Sequence, residues 1–308
     1  MYQNCCGNVV SFRKAKKFGI ENQSMRFISY AANGAFPLDM SQFPNLFHST
    51  RIPQPEKDII QKASNKRRYV IVLHKGRVYA VDAFDENWNV RKPAAIMGDI
   101  DEILHQGQTK PYATSVPALT SYVILVYLPF PYLSFSLDRD EWSDARQHLL
   151  KLGNAEALAA VDEGLFCIAL DEIQPKSISA SAMSFLAGDA RSRWFDKSFS
   201  CVITGDSGMT INYEHAWGDG IPILRFMEAI DDHINIENPV TETMRSEPGN
   251  PKEITFKLDD KANHYIDNAV QFHNNRMSKL HTEVLPESRK ITFFALLIVF
   301  LDGRCTAF

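Results

Sequence analysis

The sequence predicts an α/β fold in which helices flank a mixed β-sheet. Apolar runs joined by short turns indicate β-hairpins, and amphipathic segments elsewhere indicate helices. Strands and helices do not alternate strictly, which favours a mixed sheet over a purely parallel one. The chain has 308 residues, 45% of them hydrophobic and 23% charged, which is typical of a soluble globular protein with one large domain or two smaller ones.

The first hairpin is predicted over residues 68–84. Residues 69–73 and 78–81 are apolar, and Lys75-Gly76 between them is typical of a tight turn. Further along, residues 165–170 form a short apolar run that predicts a buried strand.

A second hairpin leads directly to the most informative histidine. Residues 199–204 and 210–214 are the predicted strands, joined by the turn-rich tetrapeptide Gly-Asp-Ser-Gly. His215 is expected at the end of the returning strand. A helix is predicted after it, with Pro222 near its first turn, where a missing N–H costs little.

Two longer helical segments complete the prediction. Residues 141–161 are expected to be helical with a break at Gly153-Asn154, and residues 259–284 are expected to form one long amphipathic helix. The polar segment 237–251 between them contains three prolines and a glycine, which indicates a loop.

Composition limits the classes of function. The 33 basic and 37 acidic residues give a net charge of -4, so no nucleic-acid partner is expected. The five cysteines have neither metal-ligand nor disulfide spacing, which favours a reducing compartment, and Cys167 is interpreted as a small apolar filler in its strand. The apolar runs 122–136 and 291–301 are too short to predict membrane-spanning helices.

The segment from Phe12 to Ile28 mixes basic residues with phenylalanine and methionine. It could lie on an anionic membrane surface, or it could be a solvated basic segment. The residues before it resemble neither a signal peptide nor a transit peptide.

His215 is the candidate general base. It stands in the sequence Glu-His-Ala-Trp-Gly-Asp-Gly (214–220), and a glycine-rich turn between a strand and a helix leaves an imidazole open to substrate. A neutral imidazole can remove a proton from an alcohol that attacks a carbonyl group. Asp219 could pair with a cation and hold the turn, or it could orient the imidazole directly. Glu214, His215 and Asp219 are also metal-ligand types, but further ligands at suitable spacing are lacking, and no metal is predicted.

Three segments carry a family resemblance. Residues 212–226 resemble the catalytic-histidine motif of the choline/carnitine acyltransferases, and residues 193–198 (Arg-Trp-Phe-Asp-Lys-Ser) are similar to a second signature, with Ser192 where that family usually has asparagine. Residues 36–53, with Pro-Leu-Asp-Met-Ser-Gln and Ser-Thr-Arg-Ile-Pro, are similar to a third, in the form typical of the long-chain, matrix-facing mitochondrial branch (type two).

The resemblance implies a chloramphenicol-acetyltransferase-like fold and acyl exchange between coenzyme A and carnitine. His215 would be the proton acceptor, and Asp219 would be a structural partner of the motif. It implies no metal or prosthetic group, since acyl-CoA and carnitine are substrates. It also implies a mitochondrial location on the matrix side of the inner membrane, with Phe12–Ile28 as the membrane-associating segment.

The predicted domain organisation is a membrane-associating segment (1–34), a partial N-terminal acyltransferase domain (35–285) and an apolar tail (286–308). Family members have a second domain with the remaining substrate contacts, and this chain is expected to lack it. Residues 122–136 and 291–308 are expected to be foreign to the family, as translated non-coding sequence. Two alternatives to a carnitine acyltransferase stay open: an inactive truncated chain, and another acyltransferase with a His-x-x-x-Asp-Gly motif.

Overall fold

The computed structural model describes residues 28–31, 34–37, 41–64, 67–111, 113, 115–122, 136–236, 247–284, 297–301 and 304–307. The strands are β1 (Ile28–Ala31), β2 (Gly34–Pro37), β3 (Ser49–Ile52), β4 (Ile59–Lys62), β5 (Tyr69–His74), β6 (Arg77–Asp82), β7 (Cys167–Leu170), β8 (Phe199–Ile203), β9 (Met209–Tyr213), β10 (Lys252–Ile254), β11 (Leu280–Val284), β12 (Leu297–Leu301) and β13 (Arg304–Ala307). The α-helices are α1 (Pro93–Thr109), α2 (Ser136–Lys151), α3 (Ala155–Glu163), α4 (Ile178–Leu186), α5 (Gly220–Ile236) and α6 (Asp260–Met277).

A six-stranded mixed sheet forms the centre of the fold, in the order β10-β6-β5-β7-β8-β9. Three adjacent strands, β5, β7 and β8, run parallel to one another, whereas the other neighbouring strands pair antiparallel. The prediction of an α/β fold with a mixed sheet is therefore confirmed. The finer assignments, a chloramphenicol-acetyltransferase-like fold and an incomplete two-domain arrangement, stay predictions.

Helices cover both faces of this sheet. The strand β5 is therefore buried on both sides, which explains its apolar sequence. Val70 and Val72 pack into one hydrophobic cluster, with side chains of α1 and α5. Ile71 and Leu73 pack into a second cluster on the opposite face, with side chains of α2, α3 and α6. Successive side chains of a strand point to opposite faces, so a strand buried on both sides has no polar alternation.

Both predicted hairpins are confirmed. In the first, Lys75 and Gly76 have φ angles of 47° and 75°, the left-handed conformation that tight hairpin turns require. In the second, β8 and β9 pair antiparallel from Phe199 opposite Tyr213 to Ile203 opposite Met209. The buried strand is also confirmed as β7, where burial raises the pKa of the Cys167 thiol to about 12 and keeps it neutral.

The predicted helix break at Gly153 is confirmed, since this glycine has a φ of 84° between α2 and α3. Asn154 stabilises the break by donating side-chain hydrogen bonds to the carbonyls of Leu149 (3.0 Å) and Lys257 (2.9 Å). The first helix begins at Ser136, five residues before the predicted start.

The predicted single helix over 259–284 is wrong at its C-terminal end. Asp259 caps α6 as its side chain accepts a hydrogen bond from the Ala262 N–H (2.8 Å), but the helix ends at Met277. Residues 280–284 form β11 instead, which pairs antiparallel with β12. The Leu-His-Thr-Glu-Val sequence of this strand contains the β-branched residues Thr282 and Val284, which favour a strand once a partner strand is available.

Several predictions lie wholly or mostly outside the described residues. These are the membrane-associating interpretation of residues 12–28, the interruption at 122–136 and most of the 237–251 loop. The proposed domain boundaries also stay predictions. In the part of the chain that the structure describes, no helix combines the length and apolar character needed to cross a membrane.

Candidate active site

His215 lies just beyond the edge of the central sheet. The prediction placed His215 at the end of the returning strand. The strand β9 ends at Tyr213, so the histidine instead stands two residues past the strand. Its side chain is exposed, and its ring lies 5.7 Å from the Tyr213 ring, centroid to centroid, at an angle of 31°. The imidazole makes no hydrogen bond to any described residue, so none of these residues occupies either ring nitrogen.

The turn around His215 is fixed from the interior. Glu214 and Trp217 are buried on either side of the exposed histidine. The carbonyl of Ser198 accepts hydrogen bonds from the Glu214 backbone N–H (3.0 Å) and from the Trp217 indole (2.6 Å). The Glu214 carboxylate accepts a further hydrogen bond from the Ala216 N–H at 2.9 Å. Backbone positions on both sides of His215 are thus held while the imidazole faces outward.

Asp219 is held by Gln42. The Gln42 side-chain amide donates to the Asp219 carboxylate at 3.2 Å, and its carbonyl oxygen accepts from the Asp219 backbone N–H at 2.8 Å. Gly218 lets the amide approach, because a Cβ at that position would lie 3.1 Å from the Gln42 oxygen. Among the described residues, Asp219 bonds neither a cation nor His215; its partner is a neutral amide. Its carboxylate also adds to the effect of burial in raising the pKa of Tyr213.

The second signature segment, residues 193–198, is buried beside this turn. Arg193 is almost fully buried and donates two hydrogen bonds to the Asp171 carboxylate, at 2.8 and 2.6 Å. Lys197 donates to the Thr50 hydroxyl (3.0 Å) and to the Asp162 carbonyl (2.6 Å). Burial lowers the pKa of Lys197 to about 8. These charged side chains bond other parts of the core, which indicates a structural role.

The third segment joins the other two through β3. The Arg51 backbone N–H donates to the Asp196 carbonyl (2.8 Å), and the Ser198 N–H donates to the Ser49 carbonyl (3.1 Å). The Arg51 guanidinium lies 3.4 Å from each carboxylate oxygen of Glu214. Three segments that are distant in sequence therefore meet at one place.

The sequence prediction singled out His215 and Asp219, whose roles stay predictions, and did not single out three further residues whose side chains hold this turn. Gln42, Arg51 and Glu214 lie inside the motif segments, and this position was the sequence signal that could have identified them. The motifs alone do not specify which side chains pair across 163 or 177 positions.

The metal interpretation gains no support from the geometry. The Glu214 carboxylate is occupied by Ala216 and Arg51, and Asp219 is occupied by Gln42. Over the described ranges, no group of three or more histidine, cysteine, aspartate or glutamate side chains is arranged to hold a metal ion.

A family model described as choline/carnitine O-acyltransferase matches residues 9–289, which include all three segments and the turn that carries His215. The chain belongs to the choline/carnitine O-acyltransferase family. The predicted resemblance is therefore confirmed, and the alternative of an unrelated acyltransferase family is set aside.

Relatives within the choline/carnitine O-acyltransferase family agree with this assignment. The chain is 34% identical to human mitochondrial carnitine O-palmitoyltransferase 2 over 223 residues, 72% of this chain and 31% of the relative. It is 34% identical to the Xenopus tropicalis mitochondrial carnitine O-palmitoyltransferase 2 over 268 residues, 86% of this chain and 38% of the relative. The human muscle isoform of carnitine O-palmitoyltransferase 1 is 32% identical over 202 residues, 63% of this chain and 24% of the relative. The chain spans about a third of the length of the type-two relatives it matches.

Proposed function

We propose that this chain is a carnitine O-acyltransferase in which His215 is the general base for transfer of a long-chain acyl group between coenzyme A and carnitine. The observation that carries the proposal is the exposed imidazole of His215, which bonds no described residue and stands on a turn whose neighbours are buried and hydrogen-bonded. A fixed backbone beneath an exposed imidazole lets the base meet a substrate hydroxyl with little reorganisation.

The chemical steps follow from a neutral imidazole. His215 removes the proton from the carnitine hydroxyl, and the resulting alkoxide attacks the thioester carbonyl carbon. The tetrahedral oxyanion collapses and breaks the carbon–sulfur bond, and the leaving coenzyme A thiolate takes the proton from the imidazolium. In the reverse direction the same nitrogen deprotonates the coenzyme A thiol. Carnitine and acyl-CoA are substrates, and none of these steps needs a prosthetic group.

Asp219 has a structural role in this proposal. With Gln42 it fixes the turn that follows His215: the carboxylate accepts from the Gln42 amide, whose oxygen accepts from the Asp219 backbone N–H. The geometry favours this role over direct orientation of the ring, which the sequence had left open.

The choice of carnitine and of a long acyl chain rests on the relatives, which are named carnitine O-palmitoyltransferases. A panel of purified-chain assays tests both choices. Palmitoyl-CoA with L-carnitine should give acylcarnitine, whereas choline as acceptor or acetyl-CoA as donor should give roughly tenfold less product or lower. Equal rates with choline would contradict the acceptor, and faster transfer from acetyl-CoA would contradict the chain length.

We also propose a mitochondrial location, on the matrix side of the inner membrane, with involvement in fatty-acid oxidation. The relatives named carnitine O-palmitoyltransferase 2 carry the word mitochondrial in their names, and residues 12–28 have the basic and aromatic composition of a membrane-surface segment. Cosedimentation with anionic vesicles tests this segment. Replacement of Lys14, Lys16 and Lys17 by glutamine should reduce the bound fraction, and unchanged binding would contradict the proposed attachment.

A further inference from the structure

The backbone around His215 is connected to the core by a chain of ion pairs. The chain begins at Glu214, whose side chain is only 6% exposed and accepts the Ala216 N–H. One carboxylate thus spans the residue before the histidine and the residue after it. This carboxylate is therefore one of the contacts that hold the backbone at His215.

Arg51 is the next member, and it contacts two carboxylates at once. One terminal nitrogen of its guanidinium lies 3.4 Å from each oxygen of Glu214, while Nε donates to Asp58 at 2.6 Å. A planar guanidinium with donors in several directions can bridge two carboxylates, whereas a lysine ammonium cannot reproduce that fork. The Arg51 side chain is 24% exposed, so solvent does not replace these contacts freely.

Arg139 of α2 connects this pair to the interior. Its Nε donates to Asp58 at 2.7 Å, and Nη1 donates to Asp196 at 2.8 Å. The indole of Trp142, which is fully buried, donates to the other Asp196 oxygen at 2.6 Å. Burial pulls the pKa of Arg139 down, but the carboxylates of Asp196 and Asp58 raise it above its ordinary value. The interior end of this ion-pair network is therefore charged and tightly packed.

We propose that Arg51 is a positioning residue for His215, acting through the Glu214 carboxylate. The ion-pair network contains three carboxylates and two guanidinium groups. Among the described residues, loss of Arg51 therefore leaves Glu214 without a cation and Asp58 with Arg139 alone. A buried carboxylate without a cation moves toward water, and the Ala216 N–H and the histidine backbone move with it. The catalytic consequence rests on the proposed function, but the structural consequence does not.

Amide hydrogen exchange measured by mass spectrometry tests the structural consequence without turnover. In Arg51→Gln the peptide over residues 214–219 should lose protection by about tenfold, while the β8 peptide over 199–203 keeps its protection. Glu214→Gln should do the same, and the double variant should match Glu214→Gln within about twofold, since Arg51 then has nothing left to act through. Unchanged protection at 214–219 in Arg51→Gln, or additive losses in the double variant, would overturn the proposal.

Arg67→Gln is the matched control. Arg67 forms a partly exposed ion pair with Glu163 at 2.6 Å, outside the chain of pairs, and the same change in charge there should leave residues 214–219 protected. If Arg51→Gln loses protection throughout the protein, the Arg51→Lys variant is measured instead. It keeps the positive charge but cannot bridge the Glu214 and Asp58 carboxylates. A loss confined to 214–219 in Arg51→Lys supports the proposal, and a uniform loss or none overturns it.

Kinetics separates this inference from the proposed function. If the wild-type chain transfers palmitoyl groups, Arg51→Gln should lower kcat by roughly tenfold and leave KM for both substrates within about twofold. An unchanged kcat beside a local loss of protection would overturn the catalytic part of the inference. An inactive wild type contradicts the proposed function, and the exchange measurement then decides the positioning role by itself.

Discussion

The Gln42 side chain forms two hydrogen bonds with Asp219, one to its carboxylate at 3.2 Å and one from its backbone N–H at 2.8 Å. The two residues are 177 positions apart, yet a single amide fixes both the side chain and the backbone of the turn that follows His215. This contact indicates that Gln42 holds the turn without a hydrogen bond to His215 itself.

Replacement of Gln42 by alanine should lower activity because the turn loses both hydrogen bonds. We expect kcat to fall by roughly tenfold and the free energy of unfolding by about 1–2 kcal/mol, measured by steady-state kinetics and urea titration. Gln42→Glu should be worse than alanine at neutral pH, since two carboxylates would then face each other. Gln174→Ala, on an exposed loop, is the control that should leave both quantities unchanged. Wild-type kcat in Gln42→Ala would contradict the holding role.

The buried pair of Arg193 and Asp171 should matter for stability and not directly for catalysis. Removal of the carboxylate in Asp171→Ala leaves an uncompensated guanidinium that is 1% exposed, and should reduce the free energy of unfolding by about 3–5 kcal/mol. Denaturant unfolding measures this loss.

Glu228→Gln provides the comparison, because it breaks an ion pair with Arg225 whose side chains are 39% and 50% exposed. Exposed pairs of this kind contribute about 0.5 kcal/mol or less. Equal losses in the two variants would show that burial of Arg193 has no energetic consequence.

Lys197 should make stability rise with pH in the alkaline range. Its pKa is lowered from 10.5 to about 8 in the folded chain, so between these values the unfolded chain binds more protons and the free energy of unfolding increases with pH. The free energy of unfolding should increase by about 3 kcal/mol from pH 8 to pH 10.5. Below pH 8 the destabilisation caused by the buried Lys197 charge should not change with pH.

Ionisation of Cys167 has the opposite effect on the free energy of unfolding over part of this pH range. Its pKa is raised from 9.0 to about 12, so the unfolded thiol ionises first and stability falls as pH rises above 9. The measurement should therefore compare Lys197→Met with its parent, both carrying Cys167→Ala. A constant difference in the free energy of unfolding from pH 7 to pH 10.5 would contradict the lowered pKa.

Much of the fold could be predicted because its signals are local. Turn residues such as Lys75-Gly76 and the break at Gly153 determine backbone conformation within a few positions, and the structure confirms both. The end of α6 at Met277 could not be predicted in the same way. Whether residues 280–284 become a helix or a strand depends on pairing with β12, which lies outside any local window.

The site divides along the same line. His215 and Asp219 stand in one short motif and could be proposed from it as candidates. Arg139 could not be identified in this way, because the many polar residues of α2 indicate a helix face exposed to solvent. The structure buries this arginine because the carboxylates of Asp58 and Asp196 meet it from other segments. Buried charges are recognisable only once their partners are known.

The central claim is that His215 is the proton acceptor. The most direct measurement is palmitoyl exchange between coenzyme A and carnitine by the purified chain, beside His215→Ala and His105→Ala, which removes an exposed histidine on α1. We expect transfer by the wild type and by His105→Ala, and a loss of at least about a hundredfold in His215→Ala with unchanged folding by circular dichroism. Transfer by His215→Ala at the wild-type rate, or no transfer by the wild type, would contradict the account.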